Sequence, residues 1–311
     1  TIQRKMPEAK VTVYPFFNCL QRLAHRLLLP YQDMHIVSLT GRPWHKFDEA
    51  LILGYDKIGI LTDNKEHTPA SIAQRMLHYG YDNYSMSVGE LLGNNENERV
   101  RTYDLNEVKK LDFSFPNNII LQKTSHRSRR FGIPDLEFDL LNGRTKMITK
   151  MPIRLLSLSL LELREKKILW DIGFCTGSVS VEAKLQFPHL EIHSFEIREE
   201  GRALMESNTR KFGAPGIQSH IGDFMAMDIS LLPPPDAVFV GGHGGQMQAM
   251  IENINKVLKI NGIIVFNSVS EESYQLFKEA VEENKLTLEQ PISIKIDDNN
   301  TIQAMTAIKT I

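Results

Sequence analysis

Apolar and polar positions change period along this chain. From residue 168 onward, short apolar runs alternate with stretches whose apolar residues recur every three or four positions. The runs lie at 168–172, 190–196, 217–221, 236–241 and 262–266, and the helical stretches at 176–187, 199–212, 246–258 and 272–284. Alternation of this kind predicts an α/β fold with a doubly wound parallel sheet and helices on both faces. The tail departs from the rhythm. Leu286 to Ile296 and Thr301 to Lys309 are β-rich runs split by Asp297, Asp298, Asn299 and Asn300, which predicts a closing antiparallel hairpin.

The N-terminal part also reads as α/β, with strands over 10–14, 34–39, 57–61, 84–88 and 117–122 and helices over 17–29, 46–53 and 69–79. From Lys123 to Arg144 periodicity fades, and the stretch holds SHRSRRFGIPD. We read 124–145 as a linker between a domain at 1–123 and a second at 146–311. A chain of 311 residues suits that division. No internal repeat or low-complexity block appears.

Composition narrows the function classes. The net charge of −2, with no long basic block, argues against a nucleic-acid protein held by phosphate contacts. Two cysteines, Cys19 and Cys175, supply neither a disulfide framework nor a zinc site. No apolar run approaches the roughly 18 residues that cross a bilayer, and the start lacks a signal-peptide pattern. The simplest expectation is a soluble cytoplasmic enzyme. The chain opens on Thr1 rather than methionine, so further sequence is expected upstream.

The densest signal is ILWDIGFCTGSVSVEA, residues 168–183. An apolar run ends in Asp171, a turn carries Gly173 and Gly177, and a helical pattern starts at Ser178: strand, tight loop, helix. Glycine lets a ligand approach the backbone, and the helix N-terminus offers unpaired N–H groups. Glu196 closes the next strand about 20 residues on, where an acid holds ribose hydroxyls. A dinucleotide loop reads G-x-G-x-x-G. Here Asp171, Gly173, Cys175 and Gly177 are nearer the D-x-G-x-G-x-G loop of S-adenosylmethionine (SAM) methyltransferases, with Cys175 in place of the central glycine.

FGIPD (131–135), MITK (147–150), Arg154, WDIGxxTGSVSVEA and PDAVFVGG (235–242) occur in one order. Together they resemble the decarboxylating precorrin-6Y C-5,15-methyltransferases of cobalamin biosynthesis, over about 145 to 311 for the C-15 methylating and decarboxylating module. SLTGR (38–42), LTDNKEHTPASIA (61–73), and Glu90 with LLG and Glu98 resemble the rear of the C-5 methylating, tetrapyrrole-methylase module. That module's G-x-G-P-G and G-D-P loops do not occur here, and Pro15 to Cys19 stand where P-G-x-S-S is usual. The expectation is a partial N-terminal module unable to perform the first methylation. In the C-terminal module, Phe174 and Cys175 replace a small residue and a glycine, and His243 stands where a small residue is usual.

The resemblance implies a SAM cofactor, a polycarboxylate tetrapyrrole substrate, no nucleic-acid or membrane partner, and a homo-oligomer. Asp171, Gly173, Thr176 and Gly177 would form the amino-acid side of the SAM pocket, Glu196 would bind ribose, and Asp223 would sit beside adenine. Gly241 belongs to VGGHGGQ (240–246), on the sheet edge where open α/β folds bind ligands. His243 on that rim would handle protons or meet a carboxylate. Glu182, five residues past Gly177, is a further candidate for the site. Lys150 and Arg154, four apart, would share a helix face toward substrate carboxylates. Asn267, ending the fifth strand, also reaches the rim. The Arg127, Arg129 and Arg130 cluster falls in the expected linker. Each residue keeps a plainer reading: a cap for Asp171, a strand-end acid for Glu196, a turn for Asp223, a solvated basic face for Lys150 and Arg154, a flexible loop for His243. At the level of the whole chain, the rival readings are a SAM methyltransferase for another substrate, an NAD-dependent dehydrogenase, and a non-catalytic module with a decayed loop.

Overall fold

A computed structural model describes residues 2–144, 147–296 and 301–310. In chain order its elements are α1 (Ile2–Lys5), α2 (Cys19–Arg26), β1 (His35–Ser38), α3 (His45–Leu53), β2 (Lys57–Leu61), α4 (Pro69–His78), β3 (Tyr84–Glu90), β4 (Arg99–Tyr103), α5 (Leu105–Val108) and β5 (Asn117–Lys123). There follow α6 (Met151–Leu160), β6 (Ile168–Ile172), α7 (Ser178–Gln186), β7 (Glu191–Glu196), α8 (Glu200–Phe212), β8 (Ile217–Ile221), β9 (Ala237–Val240), α9 (Met247–Val257), β10 (Ile263–Ser268), α10 (Glu271–Glu283), β11 (Thr287–Leu288), β12 (Ile292–Ile294) and β13 (Ile302–Ile308). They form two compact units. One holds 1–42, 55–74 and 84–125, and the other holds 43–54, 75–83 and 126–311. No helix among the described residues is long and apolar enough to cross a membrane.

The first unit is built on a five-stranded sheet in the order β1-β2-β5-β3-β4, parallel only between β1 and β2. The strand expected over 10–14 is absent. Val13 and Tyr14 are exposed there, and β propensity without a hydrogen-bonded partner does not make a strand. Strand β4 escaped the pattern because RVRTY is an edge strand with polar side chains. It is fastened by Arg99, which faces Glu90 in register and donates to its carboxylate at 2.5 and 2.6 Å.

The second unit carries an eight-stranded sheet, β11-β13-β10-β9-β6-β7-β8, with β12 also paired to β13. Strands β10, β9, β6, β7 and β8 are parallel, and β13 closes the sheet antiparallel to β10. Every residue of β6 and β9 is buried, as the interior of a parallel sheet requires. Alternation divides their side chains between two cores. Trp170, Ile172, Val238, Val240 and Phe266 pack under α9 and α10, while Leu169, Ala237, Phe239 and Val265 pack under α6 and α7. The β-rich run at 286–296 is split into β11 and β12 on either side of Pro291. The expected turn at 297–300 lies outside the described residues.

The stretch expected as a linker is packed into this unit. Glu182, buried on α7, accepts from the backbone N–H groups of Gly132 at 2.8 Å and Ile133 at 3.0 Å. Arg154, wholly buried on α6, donates to Glu182 at 3.2 Å, to Asp135 at 3.3 Å, and to the carbonyls of Thr149 and Ile133. Local periodicity does not reveal such a segment, because its order comes from charges on other elements. The three arginines are likewise occupied. Arg127 stacks on Tyr81 and donates to the Tyr79 carbonyl, Arg129 donates to the Ile52 carbonyl, and Arg130 pairs with Glu137.

Removing one partner of a buried ion pair strands the other charge, at about 3–5 kcal/mol. Glu182→Ala is therefore expected to lower the unfolding free energy by about that amount. Urea denaturation followed by intrinsic tryptophan fluorescence reads it, and an unchanged midpoint would show that the pair does not anchor the segment.

Candidate active site

The parallel strands reverse their order between β6 and β9, since the chain runs to β7 and β8 on one side and to β9 and β10 on the other. Ligands of open α/β sheets bind over such a switch point. A cavity of about 830 Å³ opens there, with Gly173, Glu196, Asp223, Gly241, His243 and Asn267 among its lining residues.

Two loops cross at its floor in backbone contact. A Cβ added at Gly173 would lie 2.9 Å from the Gly242 nitrogen, and one at Gly241 would lie 2.9 Å from the Gly173 carbonyl oxygen. Gly173 also holds φ of +76°, a left-handed conformation that glycine adopts without steric cost. The two glycines thus let the loops pack backbone to backbone, and both residues lie on the cavity wall. Glu196 ends β7 beside it, nearly buried. One carboxylate oxygen accepts from the Cys175 N–H at 2.9 Å, and the other from the Arg198 N–H and guanidinium, both at 3.0 Å. Asp223 lines the wall and caps the following turn by accepting from the Met225 N–H at 2.9 Å.

Cys175 lies on the loop in a left-handed conformation, φ +50°, which accounts for glycine being usual there. Its thiol borders the cavity, and burial pushes its pKa up. His243 is on the rim, edge-on to Phe266 at 6.0 Å between centroids. Its Nδ1 accepts from the Gly245 N–H at 3.2 Å, so in the neutral ring Nε2 carries the proton. Lys150 lines the mouth as the residue capping α6, with its ammonium 3.6 Å from Asp135.

Other expected site residues fall elsewhere. Arg154 and Glu182 do not line the cavity, because each is engaged in the buried pair that holds 132–135. This corrects their substrate and catalytic assignments. A guanidinium or carboxylate taken into the core is stable only when bonded on every side. The premise of a shared helix face also fails, since Lys150 precedes the helix that contains Arg154. Asp171, Thr176 and Gly177 lie behind the wall rather than on it. Asp171 is bonded to Ser180, and Gly177 caps α7 at φ +72°. Arg198 went unforeseen. Its only signal was a basic residue two places after the strand-end acid, in FEIRE. Among the described residues, no group of three or more His, Cys, Asp or Glu could hold a metal.

Sheet order, glycine crossing and strand-end acid together define a Rossmann-like methyltransferase fold. The chain belongs to the precorrin methyltransferase domain family, whose model matches residues 142–310. It is 30% identical to a Sinorhizobium protein named precorrin-6Y C(5,15)-methyltransferase [decarboxylating], over 87% of this chain and 64% of that one. It therefore spans about two thirds of that relative's length. A Salmonella typhimurium cobalt-precorrin-6B C(15)-methyltransferase (decarboxylating) is 35% identical over 43% of this chain and 68% of its own. The crystal structure of a Geobacter metallireducens precorrin-6y C5,15-methyltransferase superposes with a TM-score of 0.53 at 30% identity, covering 58% of this chain and 98% of that one.

Asp171 supplies a pH test. Complete burial raises its carboxyl to about 7, against the opposing hydrogen bond from Ser180. The folded value lies above the unfolded value near 4. Folding therefore takes up a proton, and stability falls as pH rises through that window. In Asp171→Asn this component is gone. The excess stability of the unaltered chain over the variant should be greatest near pH 4 and decline toward pH 7, by about 1.4 kcal/mol for each step of one in pH. A difference independent of pH in denaturant titrations would refute the buried, raised carboxyl.

Proposed function

We propose that this chain is a SAM-dependent precorrin methyltransferase of cobalamin biosynthesis. The C-terminal module would methylate C-15 and decarboxylate the C-12 acetate, and C-5 methylation would belong to the N-terminal module when complete. One observation carries the cofactor reading. The backbone crossing of Gly173 and Gly241 lies against Glu196 on the wall of one cavity. The names of the relatives supply the substrate class.

The residues present fit the cofactor. Gly173 and Gly241 let two loops pack backbone to backbone on the cavity wall, where the cofactor would lie against main chain. Glu196 would accept ribose hydroxyls, held in place by the Cys175 N–H and Arg198. Asp223 would face the adenine end. When bound, SAM supplies a methyl group on a sulfonium that is already a good leaving group. The protein's task is then positioning: the acceptor ring carbon must stand in line with that methyl at roughly 3 Å. Lys150 at the mouth would hold a substrate carboxylate, and the Nε2–H of His243 would donate to another. Loss of carbon dioxide leaves an electron pair that the conjugated macrocycle can delocalise before a proton replaces the carboxyl.

Calorimetric titration with S-adenosylhomocysteine should show one site in the C-terminal module. Hydrogen bonds to a charged group contribute about 1.5–3 kcal/mol, so Glu196→Ala should weaken binding by roughly 10- to 100-fold. No binding by the unaltered chain would overturn the cofactor reading and favour a non-catalytic module, with Cys175 marking the disabled loop.

A further inference from the structure

Glu196 and Arg198 stand two residues apart where β7 ends, and both line the cavity. The stem of Glu196 is confined on one side, since a Cβ added at Gly201 of α8 would lie 2.7 Å from its Cγ. Its acceptors can be counted. A carboxylate offers about two positions on each oxygen. Oε1 accepts from the Arg198 N–H and from the Arg198 guanidinium, both at 3.0 Å, which fills it. Oε2 accepts from the Cys175 N–H at 2.9 Å and keeps one position. Two neighbouring ribose hydroxyls need one position each, so the second can enter only where the guanidinium stands. That guanidinium is the loose member of the pair. The Arg198 side chain is 47% exposed against 2% for Glu196, and it makes no other ion pair or hydrogen bond among the described residues.

We propose that Arg198 is a movable donor that couples the two ligands of the cavity: it yields Oε1 of Glu196 to a ribose hydroxyl and then takes a substrate carboxylate. The inference rests on the methyltransferase reading above and deepens it. An ion pair open to water is screened and holds weakly, so a hydroxyl can displace its cation. The exchange leaves the carboxylate oriented, because the N–H groups of Cys175 and Arg198 remain on its two oxygens. The released guanidinium keeps its charge and its N–H fork, which matches a carboxylate. A polycarboxylate macrocycle supplies that partner. A bound cofactor thus frees a cation for the substrate, and by reciprocity the substrate strengthens cofactor binding by the same factor.

Calorimetric titration with uroporphyrin, a polycarboxylate macrocycle, with and without saturating S-adenosylhomocysteine measures the coupling. The unaltered chain should bind uroporphyrin about fivefold to tenfold more tightly when S-adenosylhomocysteine is present. Arg198→Met should abolish that enhancement. It should also bind S-adenosylhomocysteine at least as tightly as the unaltered chain, since no cation then has to be displaced from Glu196. Arg198→Lys, which keeps the charge without the fork, should retain part of the enhancement. Uroporphyrin binding that is absent, or indifferent to S-adenosylhomocysteine, would overturn the proposal. Weaker S-adenosylhomocysteine binding by Arg198→Met would overturn it too, by making the guanidinium a brace for Glu196. S-adenosylhomocysteine binding without coupling leaves the methyltransferase reading standing, whereas no binding of it by the unaltered chain removes both.

Discussion

The buried pair between Arg154 and Glu182 is the constraint on which this half of the molecule depends. Neither charge reaches water, and each side chain is fully buried. Together they gather α6, α7 and the backbone of 132–135 at one point. The first turn of α6 carries Lys150 and Ile153 to the cavity mouth, and α7 follows directly from the glycine loop. The geometry of the mouth is therefore held from behind, by groups that never meet a ligand. Desolvating two charges is costly, and the cost is offset only because backbone donors and acceptors complete both shells.

Elements whose burial is written in their own residues were legible from sequence. Strands 168–172 and 217–221 coincide with the predicted runs, α8 differs from its prediction by one residue at its start, and α9 and α10 differ from theirs by a residue at each end. The apolar period reports such elements directly because one face or both lie against a core. Elements defined by a neighbour were not legible. Strand β4 exists because Glu90 reaches Arg99, and 132–139 is ordered by α7 and α8. Conversely, VTVY at 11–14 has the composition of a strand and pairs with none of the described strands.

The site divides along the same line. Glycines and the strand-end acid are set by backbone geometry, and Gly173, Gly241 and Glu196 stand on the cavity wall as the motif implies. Charged residues on helices are ambiguous from sequence, because spacing states a face but not what that face meets. Arg154 and Glu182 had the spacing of site residues and are core. Asn267 and Ser157, 110 positions apart, form a pair that no local pattern could announce.

Cys175 bears on motion rather than on affinity alone. A side chain in the left-handed region costs roughly 1–2 kcal/mol, a penalty that glycine escapes. At Cys175 itself this strain is opposed by the N–H bond to Glu196, while Gly173, Phe174, Thr176 and Gly177 are tied by bonds of their own. An excess of that size multiplies the population of locally opened loop by roughly five to thirty relative to a glycine-bearing counterpart in which the same bond is kept. This chain's glycine loop should accordingly breathe more often, and its amide at 175 should exchange hydrogen sooner than those of the β6 strand that precedes it.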